Sequence, residues 1–158
     1  MKFGIMGPGR ISRKFADAVL RTEGAKLVGV ASKSTERAKK FAEEFAIKNY
    51  YNSYEDLAKS DVDVIYIGTT NNAHYENMIV SIENGKHVLC EKPFTLSYEQ
   101  TKDIFERARQ HGVFVMEAMW SIFLPATLKA KEIAQSGKIG QIKQIDSCIN
   151  YNNQGGDN

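Results

Sequence analysis

Lys2-Phe-Gly-Ile-Met-Gly-Pro-Gly-Arg-Ile-Ser12 decides the reading of this chain. A short apolar run meets a glycine turn and opens into helix-period apolar residues at Ile11, Phe15, Ala18 and Val19. This is the pattern of a nucleotide-binding strand, turn and helix. Gly7 permits the tight turn, Gly9 lets the backbone approach a pyrophosphate, and Pro8 stands between them. The helix that starts at Arg10 and Ile11 aims its unpaired amides and positive dipole end at that anion. The third small position holds Ser12 where Gly or Ala is usual, and its hydroxyl is expected to bond back to the helix.

Outward from this stretch, strand and helix alternate. Residues 26–31 form a near-continuous apolar run suited to a strand buried on both faces, and Ser34 caps a helix over 35–45. A short strand follows over 47–51, then a brief helix capped by Ser53 and ending at Lys59. Residues 62–67 are the clearest strand, and a helix over 74–84 stops at Gly85. A strand over 86–90, the turn Glu91-Lys92-Pro93, a helix opened by the capping box Ser97-Tyr-Glu-Gln100 and closed at Gly112, and a strand over 113–117 complete the series. Short connections of this kind require right-handed crossovers, so the predicted fold class is α/β, a doubly wound parallel (Rossmann) sheet of six strands in the order 3-2-1-4-5-6. Its ligand crevice lies at the carboxyl ends of the strands, which makes 7–11, 32–34, 69–74, 91–93 and 119–120 the functional candidates.

Composition narrows the function classes. With 158 residues, 42% hydrophobic and 25% charged, the chain is long enough for one well-buried core of ordinary globular make-up. A net charge of +2, with lysines interspersed among carboxylates, argues against nucleic-acid and membrane-surface partners. No apolar run reaches membrane-span length and the N-terminus enters a strand directly, so a cytoplasmic location is expected. Cys90 and Cys148, and likewise His74, His87 and His111, lack metal-ligand spacing, so no metal is predicted. Beyond Pro125 a helical stretch runs to Ser136, and 139–151 alternates apolar with polar residues as a strand without a partner, followed by a polar, glycine-rich tail. The expected division is a dinucleotide-binding domain over 1–136 and, over 137–158, the first strand and tail of a truncated second α+β domain.

Gly4-Ile-Met-Gly-Pro-Gly-Arg-Ile-Ser12, Thr69-Thr-Asn-Asn-Ala-His74, Glu91-Lys-Pro93 and Glu117-Ala-Met-Trp120 occur in the order and places seen in the glucose-fructose oxidoreductase/inositol dehydrogenase family, which this chain resembles over nearly its whole length. The Met-Glu-Ala-x-Trp stretch with Phe123 and Pro125 is most similar to the dimeric dihydrodiol dehydrogenase and D-xylose dehydrogenase branch. The resemblance implies a nicotinamide-dependent dehydrogenase acting on a sugar, polyol or cyclic diol, as a homodimer or higher homo-oligomer when full-length. It also implies a catalytic or substrate-orienting role for Lys92, with Glu91 beside it. An ammonium at a strand end can polarise a hydroxyl or carbonyl, and the alternative is a surface Glu-Lys pair before a turn proline. In the loop after the fourth strand, Asn71 and His74 match the family while Thr70 stands where proline is usual. Thr69 and Asn71 are cofactor candidates there, and His74 is either a contact or a loop brace. Trp120 is a cofactor candidate or core packing. Ile122 replaces an arginine of the branch, which removes a cation expected near cofactor or substrate.

The turn after the second strand bears on which nicotinamide cofactor is used. An NAD enzyme usually places Asp or Glu there to hold the ribose hydroxyls, and this chain has Ser32. Ser32 and Ser34 can donate to a 2′-phosphate, and Lys33 and Arg37 supply positive charge, so NADP is expected over NAD. Glu36 is read as a first-turn residue of the helix that favours its dipole. A non-catalytic nucleotide sensor and an interaction module are the alternatives from other classes.

Overall fold

The computed structural model describes residues 1–148. In it β1 (Lys2–Met6) lies inside a six-stranded, all-parallel sheet with β2 (Lys26–Ala31), β3 (Asn49–Tyr51), β4 (Val64–Ile67), β5 (His87–Cys90) and β6 (Val115–Glu117), ordered β3-β2-β1-β4-β5-β6. This is the order expected from the alternation, with helices as the crossovers: α1 (Arg10–Leu20), α2 (Thr35–Glu44), α3 (Tyr54–Lys59), α4 (His74–Glu83) and α5 (Tyr98–Gln110). Three helices begin on a serine that accepts the amide three residues on: Ser34 from Arg37 at 3.4 Å, Ser53 from Asp56 at 3.3 Å and Ser97 from Gln100 at 3.2 Å. The capping box at Ser97 is displaced by one residue, because Gln100 Oε1 accepts the amide of Leu96 and not that of the cap.

Consecutive strand residues face opposite layers. Met6, Ala31, Ile65 and Ile67 pack with Leu57, Met78, Ile82 and Ile104 of α3, α4 and α5, while Ile5, Val30 and Tyr66 pack with Ala16, Phe41 and Ala42 of α1 and α2. Two glycines paired across β1 and β2, Gly4 and Gly29, form a socket for Leu57. A β-carbon would come within 3.0 Å of Leu57 Cδ1 at Gly4 and within 2.7 Å at Gly29. Phe15 of α1 stacks on Tyr66 of β4 at 3.9 Å with the rings 5° apart, which ties the first helix to the neighbouring strand.

The glycine turn is held by the ends of the sheet itself. The Gly7 amide donates to Ala31 O at 3.0 Å, and the Gly68 amide to Met6 O at 2.9 Å. Gly7 has φ +87°, and a β-carbon there would also lie 2.8 Å from Thr69 Cγ2. Ser12 differs from its expectation. Its fully buried hydroxyl does not bond back along the helix but donates to Gly7 O at 2.6 Å, because it occupies the space that a side chain at position 68 would need. Ser12 and Gly68 thus share one volume, and the hydroxyl contributes a bond to the turn that the usual Gly or Ala lacks.

The chain divides into two compact units, Met1–Met119 and Trp120–Asn158. The expected boundary after residue 136 follows the end of a helix, whereas the units meet before the short 3₁₀ turn Trp120–Phe123, so α6 (Pro125–Gln135) belongs to the second unit. Pro125 starts α6 at a position where its missing amide costs nothing. The strand expected over 139–151 is corrected: residues 139–148 form no strand, and 149–151 lie outside the described residues. Alternation supplies a strand's side-chain pattern but not the neighbouring backbone groups that make a ladder. No helix among the described residues is long and apolar enough to cross a membrane.

The shared volume at positions 12 and 68 predicts a paired effect. Gly68→Ala destabilises the chain by about 1–3 kcal/mol through overpacking. Adding Ser12→Gly recovers part of that loss, the remainder coming from Tyr66 Cε1, which would still lie 3.0 Å from the new β-carbon. Urea unfolding followed by circular dichroism measures both; equal stability of the single and double variants contradicts the shared volume.

Candidate functional site

A cleft of about 300 Å³ opens at the carboxyl ends of β1, β2 and β4. Gly7, Pro8 and Gly9 form its floor; Ser32, Lys33 and Arg37 enter from the β2–α2 connection, Tyr54 from the start of α3, and Gly68, Thr69, Thr70 and Ala73 from the turn after β4. Its chemistry is backbone amide, hydroxyl and positive charge, with no carboxylate among the described residues of the lining. Gly9 is the N-cap of α1 and supplies no capping side chain, so the first amides of the helix, at Arg10 and Ile11, lack intrahelical acceptors and are left for an anion.

The two glycines of the turn have different reasons to be glycine. Gly7 is required by its backbone conformation and its packing. Gly9 has φ −93°, which any residue adopts, and a β-carbon there would meet only Gly68 O, at 3.7 Å. The folded chain has no steric need for glycine at position 9. What its missing side chain preserves is open space beside the helix N-terminus, which fits the close approach of a pyrophosphate.

At the β2 end of the cleft, Ser32 is 4% exposed and accepts the Ser34 amide at 3.2 Å, which leaves its hydroxyl proton free to donate. Burial pushes the Tyr54 phenol up, the Arg37 guanidinium pulling it partly back, so Tyr54 remains a protonated donor near neutral pH. Glu36 lies in the first turn of α2 and is not part of the lining.

Lys92 follows β5, and its turn is built around the carboxylate of Glu91. Tyr66, buried and stacked on Phe15, donates its hydroxyl to Glu91 Oε1 at 2.7 Å, and the Lys92 amide donates to Glu91 Oε2 at 3.3 Å. Burial, then the bond to Glu91, pushes the Tyr66 phenol far above its ordinary range, so it stays a donor. Glu91 therefore holds the backbone of Lys92, and the salt bridges among the described residues do not include the Lys92 ammonium. The Lys92-Pro93 peptide is cis. On its far side the Phe94 amide donates to Glu117 Oε1 at 2.9 Å.

Of the sequence candidates, Gly7, Pro8, Gly9, Ser32, Lys33, Arg37 and Thr69 come together in the cleft. Arg10 and Ile11 stand at the helix start beside it, and Ser34 serves as the α2 cap. Asn71 opens a 3₁₀ turn and, with Glu91 and Lys92, is not among the lining residues. Trp120 belongs to the second unit. His74 is not among the lining residues: its ring is fully buried, with Nδ1 2.8 Å from Pro93 O and Nε2 3.3 Å from Thr69 O, and its one N–H donates to one of these two carbonyls. Tyr54 and Gly68 were missed. The rule that ligands gather at strand ends covers the turn after β3, where Tyr54 follows the Ser53 cap, and it would have found that residue.

A model of the oxidoreductase family with an NAD-binding Rossmann fold matches residues 1–119. The chain is 40% identical to the trans-1,2-dihydrobenzene-1,2-diol dehydrogenase of Xenopus laevis over 147 residues, covering 91% of this chain and 44% of that protein. It is 34% identical to the D-xylose 1-dehydrogenase (NADP(+)) of Hypocrea jecorina, covering 99% of this chain and 44% of the relative. Among solved structures, an NAD binding oxidoreductase from Klebsiella pneumoniae superposes with a TM-score of 0.83 at 31% identity, covering 89% of this chain and 40% of that one. The chain thus spans less than half the length of the relatives it matches, and those relatives include both kinds of dehydrogenase in the one branch that its motifs resemble. Glycine turn, sheet order, cleft and family match agree: the chain belongs to the glucose-fructose oxidoreductase/inositol dehydrogenase family of oxidoreductases, and it carries that family's NAD-binding Rossmann fold.

Proposed function

We propose that this chain forms the NADP-binding part of a dehydrogenase that oxidises a secondary alcohol of a sugar, polyol or cyclic diol. The observation that carries the cofactor choice is the β2 end of the cleft, where Ser32, Lys33, Arg37 and Tyr54 converge with no carboxylate among the described lining residues. A carboxylate at this place accepts from the ribose hydroxyls of NAD and repels a 2′-phosphate; two hydroxyl donors and two cations do the reverse. The name of the Hypocrea relative specifies NADP(+), which supports the same choice.

The cofactor, when bound, exchanges a hydride with the carbinol carbon. The chain's own residues do the rest. The open space at Gly9 and the amides at the start of α1 hold the pyrophosphate, and the β2 end holds the phosphorylated ribose. As the amine, Lys92 Nζ takes the proton of the reacting hydroxyl while the hydride leaves the carbinol carbon; as the ammonium it orients and protonates the carbonyl oxygen in the reverse direction. Glu91 supports that role through the main chain, one carboxylate oxygen accepting the Lys92 amide and the other the Tyr66 hydroxyl. Water exclusion and substrate alignment fall to the remaining length that the relatives possess.

Calorimetric titration of the 158-residue chain tests the cofactor choice. NADP is expected to bind at least about tenfold more tightly than NAD, a difference near 1.4 kcal/mol. Lys33→Ala combined with Arg37→Ala should abolish the preference; equal binding of both cofactors by the native chain rejects it.

The role of Lys92 is tested in a protein with the full length of its relatives. Lys92→Met should lower kcat by roughly 10²–10⁴-fold, the scale of a lost acid–base group, while the NADP Kd changes by less than about threefold. Undiminished turnover removes Lys92 from the mechanism.

A further inference from the structure

Two hydroxyls of the cleft have their direction set by a donor behind them. Ser32 Oγ accepts the Ser34 amide at 3.2 Å, and Thr69 Oγ1 accepts from Asn77 Nδ2 at 3.0 Å. A hydroxyl carries one proton and can meet a ligand as donor or as acceptor; an N–H aimed at its oxygen turns that proton elsewhere. Among the described residues no group accepts the Thr69 proton, and the space that Thr69 lines is the cleft. Thr70, the next residue, is the opposite case: its hydroxyl donates to Asn72 Oδ1 at 2.7 Å, so its proton is spent within the turn. Asn77 is buried in α4 beside Met78 and is not itself among the lining residues. An apolar side chain would satisfy packing at such a place, whereas a carboxamide is tolerated there only when it is bonded.

We propose that Asn77 is a positioning residue that makes the Thr69 hydroxyl a hydrogen-bond donor to the diphosphate of the bound dinucleotide. The inference rests on the dinucleotide reading of the cleft. Thr69 packs against Gly7, where a β-carbon would lie 2.8 Å from Thr69 Cγ2, so the part of the ligand beside it is the part that crosses the glycine turn. The ionised oxygens of a diphosphate accept hydrogen bonds and do not donate them, so a hydroxyl helps there only with its proton forward. Both branches of the Thr69 side chain are held, the methyl against Gly7 and the oxygen against Asn77, which keeps χ1 in one rotamer before a ligand arrives. Ser32 is the counterpart at the β2 end of the cleft, its oxygen held by a backbone amide where that of Thr69 is held by a side chain.

Calorimetry on the 158-residue chain tests this with two probes, NADP and adenosine 2′-monophosphate, which has the phosphorylated ribose but no diphosphate. Thr69→Val keeps the shape and removes the hydroxyl, and it should weaken NADP binding by about tenfold or more, the scale of a hydrogen bond to a charged group. Asn77→Leu should weaken it by about threefold or more, because the hydroxyl is then free to turn. Neither variant should change the affinity for adenosine 2′-monophosphate by more than about twofold, and in the Thr69→Val background Asn77→Leu should have no further effect on NADP. A residue that only stabilises α4 would weaken both probes alike and would add to Thr69→Val. Unchanged NADP affinity in Asn77→Leu, or losses that add in the double variant, overturns the proposal. The double variant leaves neither polar partner buried alone, so it remains folded where a single variant does not; native NADP affinity in it is equally contrary. In the native chain the Asn77 side-chain amide protons should shift in NMR spectra at saturation with NADP and not with adenosine 2′-monophosphate, and their indifference to NADP rejects the coupling. Absence of any NADP binding heat in the native chain is a different result, which rejects the dinucleotide reading itself.

Discussion

The site depends on how closely the turn after β1 lies against the turn after β4. Gly7 can take its conformation beside Thr69 only without a side chain, Gly68 must also lack one, and Ser12 fills the remaining volume while bonding Gly7 O. This contact fixes the start of α1 relative to the sheet, and with it the direction in which the first helical amides point. The parallel ladder supports the contact from below, since the amides of Gly7 and Gly68 continue the bonding of β1 to its two neighbours. A cleft built on the ends of three paired strands has little freedom to change shape.

Electrostatics divide the cleft from the turn next to it. Its wall at β2 is basic and hydroxylic, while in the turn that carries Lys92 the carboxylates of Glu91 and Glu117 accept the backbone amides of Lys92 and Phe94. That arrangement fixes the main chain around Lys92, and the salt bridges among the described residues do not include its ammonium. Cys90, two residues before Lys92, is pushed up by burial and then by those same two carboxylates, so its thiol is a packing group.

The order and type of all six strands were legible because hydrophobic period and helix caps agree at each element: β2 reads as a buried run, and Ser34, Ser53 and Ser97 each cap where the pattern changes. Strand starts were less so. Val62 and Val113 belong to apolar runs, yet β4 and β6 begin at Val64 and Val115, where neighbouring strands offer backbone partners. The same reason undid the strand read over 139–151, whose alternation has no ladder among the described residues. In the cleft, the glycines and the β2 turn could be read because motif spacing encodes backbone geometry. The hydroxyl of Ser12, the two-sided burial of His74 and the bond from Tyr66 to Glu91 could not, since each depends on what stands across from the residue in space.

Gly9 has a consequence of another kind. Because neither its backbone angles nor its neighbours require the absence of a side chain, selection acting on the folded chain alone has no hold on this position. Most residues of the turn answer to two demands at once, and their loss would be felt as instability before it was felt as lost binding. Position 9 answers to one. It is the place where the history of the chain as a binder is recorded separately from its history as a folded object, and where a lineage that ceased to use the cleft would be free to drift first.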